Sequence, residues 1–274
     1  MATLTSAEVE IHYEDSGGDG RPVVLIHGWP LSSASWSDVT PALREVGYRV
    51  VTYDRRGFGA SEKPGEASAY DYDTLTADLD ALMTRLDLRD VTLVGFSMGG
   101  GEVARYVGRY GQDRLHSIVF AAAIPPCLLK DEDHPDGAMD LATVAAMQEQ
   151  LRADREGFLD AFLTNFFSAD GQLKVSESQR QEALRQASQA DLHAAAECIH
   201  SWVTDFTGDL PRITVPTLVI HGDGDGIVPL ELSGRRTHEA VSGSLLHVVE
   251  GGPHGVSASH AEEFNTAVLD FLTR

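Results

Sequence analysis

The sequence predicts an α/β fold with a mostly parallel central sheet flanked by helices. Three observations carry that expectation. Apolar strand-like runs alternate with amphipathic helical stretches along much of the 274 residues, the order that builds parallel sheets. Residues 95–99 read Gly95-Phe96-Ser97-Met98-Gly99, a G-x-S-x-G pentapeptide placed directly after the apolar run Val91-Thr92-Leu93-Val94. A long stretch from about 125 to about 206 breaks the alternation: it opens on Pro125-Pro126, passes through an acidic, turn-rich segment (Asp131 to Asp136) and then reads as helices, which predicts an inserted helical cap.

In chain order, Glu8 to Tyr13 alternates polar and apolar residues and predicts a half-exposed strand. Pro22 to Ile26 and Tyr48 to Tyr53 are continuous apolar runs, the mark of strands covered on both faces. Tyr72, Leu75, Leu79, Leu82, Met83 and Leu86 recur at helical spacing. The strand before Ser97 comes next, then strands at Ser117–Ala121, Val215–Ile220 and Leu245–Val249. Phe264, Ala267, Val268, Phe271 and Leu272 give a closing helix one apolar face. The expected organisation is one domain over 1–274, with a core of 1–124 and 207–274 and a cap of about 125–206. Within the cap, Met147–Phe167 and Ser178–Val203 read as helices with no strand signal between them.

Composition narrows the function. There are 42 acidic and 21 basic residues, a formal net charge of −21. Such a surface repels nucleic acid and anionic membranes, so neither is expected as a partner. It favours solubility, and it also suits a salt-adapted source. No run approaches the roughly 20 apolar residues of a membrane span. Met1-Ala2-Thr3-Leu4 lacks a basic segment followed by an apolar one, so a cytoplasmic location is expected, with Cys127 and Cys198 as free thiols.

A serine held on a strand-to-helix turn has its hydroxyl clear of the backbone. Serine is a weak nucleophile and needs a base, usually a histidine oriented by a carboxylate. Nine histidines follow Ser97. His254 lies in Gly251-Gly252-Pro253-His254-Gly255, a Gly-rich loop directly after the last strand, where such folds place functional groups. His247 falls inside that strand and His260 opens the closing helix. For the acid, Asp223 and Asp225 compete in the loop after Ile220; Asp225 is preferred and Asp223 is read as a turn residue. The developing oxyanion needs two donors. One is expected from the backbone N–H of Met98, the other from Trp29 in His27-Gly28-Trp29-Pro30. His27 and Asp54-Arg55-Arg56-Gly57 are read as shaping their loops. No H-E-x-x-H or C-x-x-C spacing occurs, and His193 and His200 read as a solvated face, so no metal is expected. Phe162 and Phe166, four apart, share a helix face and with Ile124, Ile227 and Leu230 are candidates to line an apolar pocket, as are Pro30 and Phe96 beside the oxyanion loop and the elbow.

Taken together, His27-Gly28-Trp29-Pro30, Asp54-Arg55-Arg56-Gly57, Gly95-Phe96-Ser97-Met98-Gly99-Gly100-Gly101 and Pro253-His254-Gly255 resemble the cofactor-free haloperoxidase, perhydrolase and aryl esterase branch of the α/β-hydrolase superfamily. The resemblance runs nearly end to end. It implies the α/β-hydrolase fold, an acid at Asp225, oxyanion donors at Trp29 and Met98, and no cofactor. It implies small carboxylic esters as substrates, cleaved through an acyl-serine. It further implies peracid formation from a carboxylic acid and hydrogen peroxide, the peracid then oxidising halide. Pro30 inclines the chain toward perhydrolysis and Phe96 toward esterase activity. Amide, lactam and lactone hydrolysis are the rival reactions for the same site, and a non-catalytic ligand-binding protein is the rival outside enzymes. The resemblance also suggests a homo-oligomer.

Overall fold

The computed structural model describes residues 2–274. Its first elements are strands β1 (Ala2–Ser6), β2 (Val9–Asp15) and β3 (Pro22–Ile26), helix α1 (Thr40–Glu45), strand β4 (Arg49–Tyr53) and helix α2 (Tyr72–Arg85). Strand β5 (Val91–Phe96), helix α3 (Met98–Tyr110) and strand β6 (Leu115–Ala121) form the centre. Helices α4 (Leu141–Ala153) and α5 (Arg155–Phe166), strands β7 (Ser168–Ala169) and β8 (Gln172–Leu173), and helices α6 (Glu177–Ala187) and α7 (Leu192–Ser201) follow. The chain closes with β9 (Thr217–Gly222), α8 (Gly234–Ala240), β10 (Leu245–Val249), α9 (Val256–Ser259) and α10 (Ala261–Leu272).

Eight strands make one sheet in the order β1-β2-β4-β3-β5-β6-β9-β10. Strand β2 runs against β1 and β4, and the other pairings are parallel. The burial of each strand follows its sequence pattern. Every residue of β5 and β9 is buried, whereas β2 alternates along its first five residues. A strand covered on both faces needs a continuous apolar run, and one with a wet face does not.

The register brings the carboxyl ends of the parallel strands level. Ile26 pairs with both Tyr53 and Gly95, Phe96 with Ala121, Ala121 with Ile220, and Val249 with Gly222. The loops that start at His27, Asp54, Ser97, Ala122, Asp223 and Glu250 therefore open on one edge, where folds of this kind gather functional groups.

The segment between β6 and β9 departs from expectation in detail. Each expected helical run is two helices. Asp154 caps α5 through the Gly157 N–H at 3.0 Å, and Asp191 caps α7 through the Ala194 N–H at 3.0 Å. A side-chain cap competes with helix continuation and starts a new axis. Asp140 caps α4, and Ser176 with Gln179 forms a capping box on α6. The two-residue strands β7 and β8 form a small hairpin where no strand was expected, with a turn at Asp170-Gly171 in which both residues have positive φ. The first strand, β1, also carried no signal of its own. No helix is long and apolar enough to cross a membrane among the described residues.

Candidate active site

Ser97 sits between β5 and α3 with φ 52° and ψ −119°, a left-handed conformation a non-glycine residue rarely holds. Its neighbours explain how that turn fits. A Cβ on Gly95 would lie 2.6 Å from the Gly99 carbonyl oxygen, and one on Gly99 would lie 2.5 Å from the Ile26 carbonyl oxygen. Helix α3 can approach the sheet this closely only with glycine at both positions. The Ser97 N–H donates to Ala121 O at 2.9 Å, tying the turn to the next strand.

Three predicted residues from three loops meet. The Ser97 Oγ lies 2.8 Å from His254 Nε2, and His254 Nδ1 lies 2.7 Å from Asp225 Oδ2. An ionised carboxylate only accepts, so Nδ1 carries the proton and Nε2 is free to accept one from Ser97. His254 is fully buried, and the rings of Phe96 and Phe166 pack on it at centroid distances of 5.2 and 4.8 Å.

Asp225 is held from both sides. Its Oδ1 accepts the N–H groups of Ile227 at 2.9 Å and Val228 at 2.8 Å. Its Oδ2 is also 3.1 Å from Nε2 of His221, a second buried histidine at the end of β9. That nitrogen is 2.8 Å from the Val228 carbonyl oxygen, so it carries the proton and donates. Burial alone would raise the Asp225 pKa. The charge of His254 and the hydrogen bonds from His221 and His254 outweigh it and hold the carboxyl well below its usual range. The competing Asp223 instead accepts the Gly251 N–H at 2.6 Å, bracing the loop that carries His254.

Met98 is the first residue of α3, and its N–H has no acceptor within the helix. The Trp29 N–H makes no hydrogen bond among the described residues. The Trp29 indole donates from Nε1 to Ala195 O of α7 at 3.0 Å, and its ring packs on Phe162 and Trp202 at 4.8 and 4.9 Å.

A cavity of about 350 Å³ opens over Ser97. Trp29, Ile124, Phe162 and Ile227 line it, as do Met139, Met147, Asn165 and Trp202 from the inserted segment. The other pocket candidates lie elsewhere. Phe96 and Phe166 back the His254 ring and face a different cavity, of about 250 Å³. Phe166 shares the α5 face with Phe162, but it is one turn nearer the His254 loop, whose Gly255 N–H donates to Phe166 O at 2.9 Å. Pro30 and Leu230 are buried in their own turns and do not border the Ser97 cavity. The residues missed were His221, near the end of an apolar strand, and the lining side chains Met139, Met147, Asn165 and Trp202 from before α4, from α4, from α5 and from after α7. Their helical periodicity marks a buried face without saying what it covers.

Cys127, His134 and Asp205 bring possible metal-donor atoms within 4.8 Å of one another. His134 already pairs with Asp131 at 3.1 Å, and none of the three lines the Ser97 cavity. Both cysteines are buried and unbridged.

A parallel sheet with an elbow serine at its carboxyl edge is the architecture of α/β hydrolases, and the chain belongs to that family: residues 21–261 match its α/β-hydrolase-fold model. Within the family it belongs with the non-heme haloperoxidases. It is 46% identical over 269 residues to a putative non-heme chloroperoxidase from Synechocystis sp., covering 97% of this chain and 96% of the relative. It is 36% identical to a bifunctional esterase/perhydrolase from Acinetobacter calcoaceticus, covering 99% of both. The crystal structure of a bromoperoxidase from Bacillus anthracis superposes with a TM-score of 0.94 at 52% identity, covering 100% of both chains.

Proposed function

We propose that the protein hydrolyses small carboxylic esters through an acyl-serine and, with hydrogen peroxide, makes peracids at the same site. The observation that carries this reading is the continuous hydrogen-bonded row Ser97–His254–Asp225 beneath an apolar cavity.

In this reading His254 Nε2 takes the Ser97 proton as Oγ attacks the ester carbonyl. Asp225 keeps His254 in the required tautomer and stabilises its charged form. The N–H groups of Trp29 and Met98 receive the oxyanion. His254 then protonates the leaving alcohol, and the acyl group stays on Ser97. Water attack on that acyl group releases the acid; hydrogen peroxide attack releases a peracid and regenerates the same serine. A cavity of about 350 Å³ is at the small end of ligand pockets, which favours short acyl and compact alcohol groups. The similarity to both chloroperoxidases and an esterase/perhydrolase supports two nucleophiles sharing one acyl-enzyme. The inserted helices, which supply much of the cavity wall, serve as its cap.

The test is a p-nitrophenyl ester panel of increasing acyl length, run with and without peroxide. Short esters are expected to turn over, peracid to appear only with peroxide, and Ser97→Ala to lose both activities together. Pro30→Leu is expected to lower the ratio of perhydrolysis to hydrolysis. A Ser97→Ala protein that keeps either activity would sink the shared-intermediate reading.

A further inference from the structure

Arg55 and Arg56 are adjacent and both buried, yet they serve different partners. Arg56 donates from Nε and Nη2 to Asp78 of α2, 2.7 Å each. Arg55 donates from Nε to Glu102 Oε1 at 2.7 Å, from Nη2 to the His27 carbonyl oxygen at 2.7 Å, and from its backbone N–H to His27 Nε2 at 2.9 Å. The Tyr53 hydroxyl closes the group on the other Glu102 oxygen.

These bonds join two particular places. His27 is two residues before Trp29, and Glu102 is one helical turn beyond Met98. Because His27 Nε2 accepts from Arg55, the ring proton is on Nδ1, and Nδ1 donates to the Gly28 carbonyl oxygen at 2.9 Å. That carbonyl and the Trp29 N–H belong to one planar trans peptide unit and point in opposite directions. Pinning the carbonyl therefore aims the N–H.

We infer that the Arg55 side chain is a positioning group for the oxyanion hole: its guanidinium holds the His27 carbonyl, and with it the segment whose ring and peptide aim the Trp29 N–H, and through Glu102 it sets the distance of that N–H from the Met98 N–H. The inference rests on the ester-hydrolase reading, in which those two amides receive the oxyanion. Donors stabilise a transition state only when already aimed at it. A displacement near 1 Å costs on the order of 10²-fold in rate. Arg55 does not line the cavity that holds the substrate, so its loss falls on kcat and leaves KM nearly unchanged.

The experiment compares Arg55→Met and Glu102→Gln with Arg56→Met, which breaks an equally buried pair on the same loop that has no bond to the Trp29 segment. Each full-length protein is measured for melting temperature, for kcat and KM on p-nitrophenyl butyrate, and for the rate of fluorophosphonate labelling. Arg55→Met and Glu102→Gln are expected to lower kcat and labelling by about 10- to 100-fold with KM within about threefold. Arg56→Met is expected to lose melting temperature and keep kcat. If Arg55→Met does not fold, the near-isosteric Glu102→Gln carries the test. Wild-type kcat in folded Glu102→Gln overturns the inference, as does a kcat loss in Arg56→Met equal to that in Glu102→Gln. A folded wild type that turns over no ester would instead overturn the reading beneath it.

Discussion

At the scale of single residues, the Asp225 carboxylate is tightly constrained. It accepts two backbone N–H groups and faces two histidines, one of which contacts Ser97. With its pKa held below the usual range, it stays ionised across the working range of an esterase. Its contribution to stability is present above the unfolded value of about 3.9 and is lost as pH falls through the folded value. Asp225→Asn removes the acceptor that keeps the His254 proton on Nδ1, and the imidazole is then free to present the wrong nitrogen to Ser97. A kcat loss of about 10⁴-fold is expected, with the fold retained. A loss under about tenfold in steady-state kinetics would mean that Asp225 does not orient His254. Of this group, Ser97 and His254 were legible from the strand–loop contexts of their motifs, and Asp225 was preferred over its rival. His221 was not legible, because a histidine ending an apolar strand reads as core; only the turn from Gly222 to Val228 brings its Nε2 back to the carboxylate.

At the scale of elements, the elbow works because α3 lies almost against β3 and β5. A Cβ on Gly99 would meet backbone oxygen of Ile26, which has no freedom to move aside. Gly99→Ala is expected to destabilise by about 1–3 kcal/mol and to displace the Ser97 hydroxyl. A Cβ on Gly65 would have nothing within 4 Å of it, and Gly65→Ala is expected to stay within about 0.5 kcal/mol of wild type. Equal unfolding free energies for the two variants in urea would contradict this account of the close helix–sheet contact. The strands that flank the site were readable from continuous apolar runs. The inserted helices were readable as helical but not as four, because the breaks at Asp154 and Asp191 look like ordinary surface carboxylates until their cap hydrogen bonds are seen. The pocket was half legible for a related reason. Spacing put Phe162 and Phe166 on one face of α5, and only the crossing of α5 over the His254 loop sent one ring to the cavity and the other to the imidazole.

At the scale of the whole molecule, acid stability follows from a buried neutral histidine. Burial and the Arg55 charge push the His27 pKa down to about 3, against a smaller upward pull from Asp54. Above pH 6.5 both the folded and the unfolded chain hold His27 neutral, and its contribution is intact. As pH falls below 6.5 the unfolded chain takes up a proton that the folded chain refuses until near pH 3, so stability drops through that window. Urea midpoints at about pH 7.5 and about pH 5, on either side of the unfolded value, are expected to fall more for wild type than for His27→Asn, which lacks the titrating group. Parallel slopes for the two proteins would remove His27 as a cause.

The sequence by itself determined the inner strands of the sheet, because continuous apolar runs have nowhere to go but between two layers. It determined the serine elbow, because two glycines around one serine at a strand end admit no other close turn. Tertiary structure decided the partnerships. Which carboxylate reaches His254, which aromatic ring faces the cavity and which arginine holds the Trp29 loop depend on loops up to 157 residues apart converging at one sheet edge. Periodicity reports which face of a segment is buried. The identity of what is buried against it is a property of the packed chain alone.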